Sequence, residues 1–181
     1  APGSRIGTCS LRRKVQLELI RPDINTSDIR GNVDTRLKKM DSGMYDGIIL
    51  ACAGLSRLNL NNRISEVLDW YYAPGPGALA AEIRIDNFAI KSIIESVTEK
   101  AVMQQVIAER AFIHRLNGGC HIPIGVKCSV NDAMLKLDGW LSSQDGSRII
   151  SDCISGKLDE ASSIGTLLAE KLIAQGAGDI L

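Results

Sequence analysis

The 181-residue sequence has no apolar run long enough to cross a bilayer, no Cys-x-x-Cys pair and no excess of either charge. The first absence excludes a membrane-spanning helix, which takes about twenty consecutive apolar residues. The first residues, Ala1-Pro2-Gly3-Ser4-Arg5, also lack the apolar core of a signal peptide, so a cytoplasmic location is expected. Cysteines at positions 9, 52, 120, 128 and 153 are odd in number and widely spread, which argues against a disulfide framework or a structural zinc site. His114, Cys120 and His121 fall near one another, but a fourth ligand and the usual spacing are missing, and no metal is expected. Lys plus Arg number 21 and Asp plus Glu number 21, so no global field directs the chain to nucleic acid or to an anionic membrane. What is present is the composition of an ordinary soluble globular protein, 45% hydrophobic and 23% charged.

Element signals alternate through the first part of the chain. Residues 4–8 read as a short strand. Ser10 can cap a helix with Leu11, Val15 and Leu19 on one face, closed by Pro22. Residues 24–29 read as a second strand, and Asn32 caps a helix with Val33, Leu37 and Met40 on one face, ended by Asp41-Ser42-Gly43. The apolar run 48–53 is short and uninterrupted, the pattern of a central parallel strand. Residues 58–69 read as helical. This order predicts an α/β unit with right-handed crossovers.

Trp70 to Gly77 breaks regular structure. Gly75, Gly77 and Ala80 match a G-x-G-x-x-A dinucleotide pattern, but no strand precedes them and Pro76 stands between the glycines, so the match is discounted. Residues 78–85 read as a strand and 87–97 as a helix burying Ile90, Ile93, Ile94 and Val97. From residue 98 the pattern predicts a helix to 117, three antiparallel strands at 125–130, 134–142 and 148–155, and a last helix at 158–175. That helix carries Ile164, Leu167, Leu168 and Leu172 on one face, with Gly176 as its cap. Glu99, Lys100, Glu109 and Arg110 read as surface or helix-pairing charges.

In parallel sheets, ligands bind beyond the carboxyl ends of strands. Thr8, Ser10, Arg12 and Arg13 follow the first strand, Arg30 and Arg36 flank the Gly31-Asn32 turn after the second, and Gly54 and Arg57 follow the third. Helix N-termini add free N–H groups, and the planar guanidinium suits carboxylate or phosphate, so this edge is built for anions. Any one of these arginines alone reads as a solvated helix face; five after three successive strands do not.

The stretch Leu116-Asn117-Gly118-Gly119-Cys120-His121-Ile122-Pro123-Ile124-Gly125 sets one cysteine on a loop between a helix and a strand. Paired glycines permit positive φ and close approach, and Pro123 stiffens the exit. On the loop alone two readings stand: a presented thiol, or a helix cap at Gly118 followed by a buried, inert cysteine.

Glu109-Arg110-Ala111-Phe112 followed by Gly118-Gly119-Cys120-His121-Ile122-Pro123-Ile124-Gly125 closely resembles the cofactor-attachment motif of the porphobilinogen deaminase (hydroxymethylbilane synthase) family. Gly7-Thr8-Cys9-Ser10-Leu11-Arg12-Arg13, Arg30-Gly31-Asn32-Val33-Asp34-Thr35-Arg36 and Ala53-Gly54-Leu55-Ser56-Arg57-Leu58 resemble that family's other motifs, in the same order. The resemblance implies a transferase of tetrapyrrole biosynthesis that joins four porphobilinogen molecules head to tail on a dipyrromethane cofactor bound by thioether to Cys120. It further implies cofactor contacts from Thr8, Ser10, Arg12, Arg13, Arg30 and Arg36, substrate contacts from Arg12, Arg30, Arg36 and Arg57, and a monomeric complete enzyme.

The implied architecture is a periplasmic-binding-protein-like α/β domain over 1–73, a segment 74–97 returning to an N-terminal domain, and a small α+β domain over 98–181. The family's catalytic aspartate, which stabilises a cationic azafulvene-like intermediate, belongs to that N-terminal domain. No carboxylate here matches it, since Asp28, Asp34 and Asp46 read as turn and helix-start residues. The chain is therefore expected to be the C-terminal portion of the enzyme, with little deaminase activity alone. A second departure is Pro74-Gly75-Pro76-Gly77 where the family has valine-glycine-glutamine-glycine. The competing readings are a non-enzymatic anion-binding α/β module, or a dinucleotide oxidoreductase built on Gly75 and Gly77.

Overall fold

Strand β1 (Arg5–Gly7) pairs in parallel with β2 (Asn25–Ser27) on one side and β3 (Gly47–Ile48) on the other, giving the order β2-β1-β3. The computed structural model describes residues 1–119 and 121–181. Helix α1 (Leu11–Ile20) makes the crossover from β1 to β2 and α2 (Val33–Asp41) that from β2 to β3. Both start as the sequence indicates: the Ser10 hydroxyl accepts from Arg13 N–H, and Asn32 Oδ1 accepts from Thr35 N–H at 2.9 Å.

Several expectations are corrected here. The run 48–53 is an edge of the sheet and not its centre. It contributes only Ile48 and the preceding Gly47 to β3, and Cys52 already opens a short helix, α3 (Cys52–Arg57). An edge strand has ladder partners on one side only; Ile49 N–H still bonds to Gly7 O at 3.2 Å, and the chain then leaves the sheet to enter α3. Residues 58–69 form no α-helix. Asn59 adopts a left-handed φ of 56° and Leu60 N–H returns to Leu55 O at 2.9 Å, which caps α3; only a 3₁₀ turn, Asn61–Arg63, follows. The buried side of α1 is formed by Val15, Gln16 and Leu17, while Leu19 is exposed.

Residues 78–85 form no strand, because no described strand lies beside them to complete a ladder. Helix α4 (Phe88–Val97) forms, capped by Asn87, yet none of its residues is buried. Phe88 is 74% and Val97 72% exposed, and Ile85 before them 95%. Its periodicity is enough to make a helix; burial requires a second surface, which the described residues do not provide.

The second half matches the predicted pattern more closely. Helix α5 (Lys100–Arg115) is followed by an antiparallel sheet of β4 (Ile124–Asn131), β5 (Met134–Ser142) and β6 (Ile149–Lys157) in sequential order. Helix α6 (Ala161–Ala174), entered through a 3₁₀ turn at Leu158–Glu160, packs against α5 and the sheet. Phe112, Leu116, Val126, Leu135, Leu137, Leu141, Ile164, Leu168 and Leu172 form the core between them. Leu167, predicted on the inner face of α6, is exposed. The small residues Ala161, Gly165 and Ala169 are buried instead, since two helices approach closely only where side chains are short.

Gly165 is the tightest point, because a Cβ there would collide with the Ala108 carbonyl oxygen of α5. Gly165→Ala is therefore expected to destabilise the protein by about 1–3 kcal/mol through overpacking, read as a lower denaturation midpoint at unchanged slope.

Candidate functional site

The carboxyl end of β1 gathers the first group of predicted residues. Thr8 is buried; its N–H donates to Ser27 O at 2.9 Å and its hydroxyl accepts from Ser10 N–H at 3.2 Å. Ser10 in turn caps α1. The first turn of that helix contains Arg12 and Arg13 and no acid. Two cations at the positive end of a helix dipole oppose the field there, an arrangement that an anion would reverse.

Both arginines are partly buried. Arg13 donates from Nη1 to Ile49 O at 2.9 Å. Burial and then the charge of Arg36 lower its pKa, against a smaller opposing effect of Cys52. Arg12 crosses to the antiparallel half and donates from Nη1 to Ile124 O at 3.3 Å. Its Nε is buried and has no partner among the described residues. Burial, then the charge of Arg13, brings the Arg12 pKa down to about 10. The guanidinium passes where Gly125 leaves room: a Cβ at that position would lie 2.8 Å from Arg12 Cδ.

Thr8, Ser10, Arg12, Arg13 and Arg36 are thus brought together. Arg36 is steadied by its Nε bond to Gly31 O at 2.8 Å. Arg30 is exposed, and its side chain has no hydrogen bond among the described residues. Arg57 points to a different task, donating from Nη2 to Gly77 O at 2.6 Å and so holding the 74–77 segment.

Cys120 lies outside the described residues; the framework around it is described. The left-handed position after α5 is Asn117, with φ 50°, and not Gly118, the cap in one of the two readings of the loop, because asparagine tolerates that conformation. Gly118 is required for space instead: a Cβ there would sit 2.5 Å from Ile124 Cδ1. Gly119 faces open space, and His121 O accepts from Gln144 Nε2 at 3.1 Å. Of the other thiols, Cys128 is half-buried, and burial, then Glu109 and Asp138, push its pKa up to about 12, which makes it a poor nucleophile. Cys9 donates to Ile29 O, and Cys52 and Cys153 are exposed.

Two residues that join the halves were not given that role by the sequence. Gln16 receives Tyr71 N–H at 2.8 Å and donates to Tyr71 O at 3.0 Å, while Tyr72 and Val126 exchange backbone bonds at 3.0 and 2.9 Å. Residues 71–72 are therefore held between α1 and β4. Tyr71 also stacks on Trp140 with ring centroids 5.9 Å apart, and the Tyr72 hydroxyl accepts from Cys128 N–H at 2.8 Å.

The second residue is Glu109, expected at the surface but only 3% exposed, with Oε2 receiving Gly75 N–H at 2.6 Å. Burial raises its pKa, partly offset by bonds from Gly75 and Tyr72. The available signal was placement: Gln16 sits between Val15 and Leu17, and Glu109 between Ala108 and Phe112 at core spacing.

The raised carboxyl pKa gives a signed pH dependence. In the folded protein the charged form is disfavoured, so stability is highest where Glu109 is protonated and falls as pH rises from its ordinary value through its raised one. Glu109→Gln keeps an acceptor for Gly75 without the charge. Denaturation at pH 7 is expected to show it as stable as or more stable than the parent, with any gain vanishing below the ordinary carboxylate range. Glu109→Ala, which leaves Gly75 N–H unpaired, is expected to lose about 1–3 kcal/mol.

Comparison with known proteins adds the family. Residues 1–92 match the family model "Porphobilinogen deaminase, dipyromethane cofactor binding domain", and residues 103–174 match "Porphobilinogen deaminase, C-terminal domain". The chain is 44% identical to the porphobilinogen deaminase of Prochlorococcus marinus strain MIT 9312 and 45% identical to that of Parasynechococcus marenigrum strain WH8102. In each case 99% of this chain is covered, against 58% and 57% of the relative. The protein of that name from Nostoc sp. strain PCC 7120 is 42% identical over 99% of this chain and 56% of its own length. The chain thus spans a little over half the length of the curated relatives it matches. With two models matched in succession, the first over just more than half of the residues, the chain belongs to the porphobilinogen deaminase family.

Proposed function

We propose that this chain belongs to an enzyme of tetrapyrrole biosynthesis that condenses four porphobilinogen molecules into hydroxymethylbilane. In this reading Cys120 holds a dipyrromethane cofactor by thioether, and Thr8, Ser10, Arg12, Arg13, Arg30 and Arg36 hold its acidic side arms. The observation that carries the reading is the buried Nε of Arg12, unpartnered among the described residues, inside a cluster of cations at a helix N-terminus that has no acid of its own.

That donor set fits the group. A dipyrromethane bears acetate and propionate arms, and guanidinium forks bind carboxylates in pairs. A carboxylate at the Arg12 Nε would satisfy a donor whose isolation otherwise costs about 1–3 kcal/mol. When bound, the cofactor would supply the free terminal pyrrole carbon to which the first substrate is joined with loss of ammonia, each later substrate joining the ring added before it.

The residues of this chain bind, orient and tether. Arg12, Arg13 and Arg36 neutralise the negative charge that accumulates as the product lengthens. Arg12 also donates to Ile124 O, four residues past the tether, and so ties the charge-binding edge to the strand that carries the cysteine loop. A tether at Cys120 keeps the chain end at high effective concentration. Arg57 is assigned to substrate in this reading, although its Nη2 bond to Gly77 O gives it a structural task as well.

The wider reading has a periplasmic-binding-protein-like domain at 1–73, a connecting segment at 74–97 and a cysteine-bearing domain at 98–181. Its partners are porphobilinogen and the N-terminal domain of the same enzyme, which supplies the catalytic acid, in a cytoplasmic monomer. None of the helices among the described residues is long and apolar enough to cross a membrane.

Mass spectrometry of the full-length enzyme, purified from cells that make porphobilinogen, tests the assignment. An added mass of two pyrrole units is expected on the peptide containing Cys120 and is expected to disappear in Cys120→Ser while the fold persists. A bare Cys120 thiol in active enzyme, or an adduct that survives Cys120→Ser, would overturn the reading in favour of a simple anion-binding module. Arg12→Ala is expected to reduce adduct occupancy severalfold in the same spectra.

A further inference from the structure

A concave site lies at the end of α5, where Asn117 and Gly118 lead out of the helix. Pro74, Arg110, Ile113, His114, Asn117 and Gly118 line a groove of about 400 Å³. Its size is at the lower end for small-molecule sites, roughly 300–1,000 Å³, and suits one substituted ring better than a four-ring chain. Its chemistry is divided. Pro74 and Ile113 contribute apolar surface, while Arg110 and His114, four residues apart on α5, contribute a guanidinium and an imidazole.

No carboxylate is among the lining residues. Neither Arg110 nor His114 has a side-chain hydrogen bond or ion pair among the described residues, whereas the adjacent Arg115 is paired with Glu170 at 3.3 Å. An apolar slot with two unengaged nitrogen donors complements a flat ring with short carboxylate arms.

We propose that this groove is a holding site for one free porphobilinogen, separate from the arginine edge at β1. The pyrrole ring covers Pro74 and Ile113, and its acetate and propionate meet Arg110 and His114. The proposal rests on the function proposed above for the identity of the ligand. The site also spans the 74–77 connection and the end of α5, so a bound monomer joins the segment pinned by Glu109 to the start of the cysteine loop.

The chain has two histidines, His114 and His121, which gives a direct readout. Porphobilinogen is titrated into the 181-residue chain while both imidazole resonances are followed by NMR. The His114 signal is expected to shift and saturate. The apparent Kd is expected to weaken about tenfold or more in Arg110→Ala, as for loss of a charge-assisted bond, and to stay unchanged in Arg36→Ala. Acetate alone is expected to shift His114 only at far higher concentration. The proposal falls if His114 does not move, if Arg36→Ala weakens the response as much as Arg110→Ala, or if acetate matches porphobilinogen. A silent His114 alongside an intact Cys120 adduct would sink the groove alone; a missing adduct would sink the function proposed above.

Discussion

The backbone of residues 71–72 is the joint on which the arrangement of the site depends. Gln16 takes both polar groups of Tyr71, as a neighbouring strand would, and Val126 takes both of Tyr72. One short segment is thereby bonded to α1 and to β4 at the same time. Gln16 is buried, so each of these bonds exchanges with no solvent and its loss leaves an unsatisfied group. Tyr71 on Trp140 and Lys127 on Asp69 at 2.7 Å close the same seam from its outer side. The consequence is positional: the N-terminus of α1, with its two arginines, is set beside the strand that begins just after the cysteine loop.

Electrostatics gives that seam its character. Arg12 runs along it, filling the space that Gly125 leaves and ending on the Ile124 carbonyl, with its Nε unmatched among the described residues. Arg13 stands close enough to Arg36 to feel its charge. Such a cluster is unfavourable for the protein by itself. Stability would be better served by an acid in the first turn of α1, which has none; its absence is the feature on which the proposed anion-binding role rests.

The segment 74–97 shows the opposite balance. Gly75 is fastened by Glu109 and Gly77 by Arg57, yet beyond them Leu79, Ile85, Phe88, Ile93 and Val97 are exposed. This chain therefore secures the connection at its root and leaves the apolar face of α4 uncovered by any described residue.

Much of this was legible in the sequence, and the boundary between legible and not has a physical basis. Caps at Ser10 and Asn32, the antiparallel strands, the residues Thr8, Ser10, Arg12 and Arg13 beyond β1 and Arg36 beyond β2 follow from local rules: hydrogen bonds within four residues, alternation of period two, and strand-to-helix turns. The family motifs likewise lie in contiguous residues. Tertiary structure alone decided that the 48–53 run is an edge, that 78–85 is not a strand, and that Leu167 yields its place to Gly165. It also decided that Glu109 and Gln16 are buried joints and not surface groups. Each of these depends on what lies alongside a residue in space. Burial and ladder pairing are properties of two surfaces, whereas a local pattern describes only one.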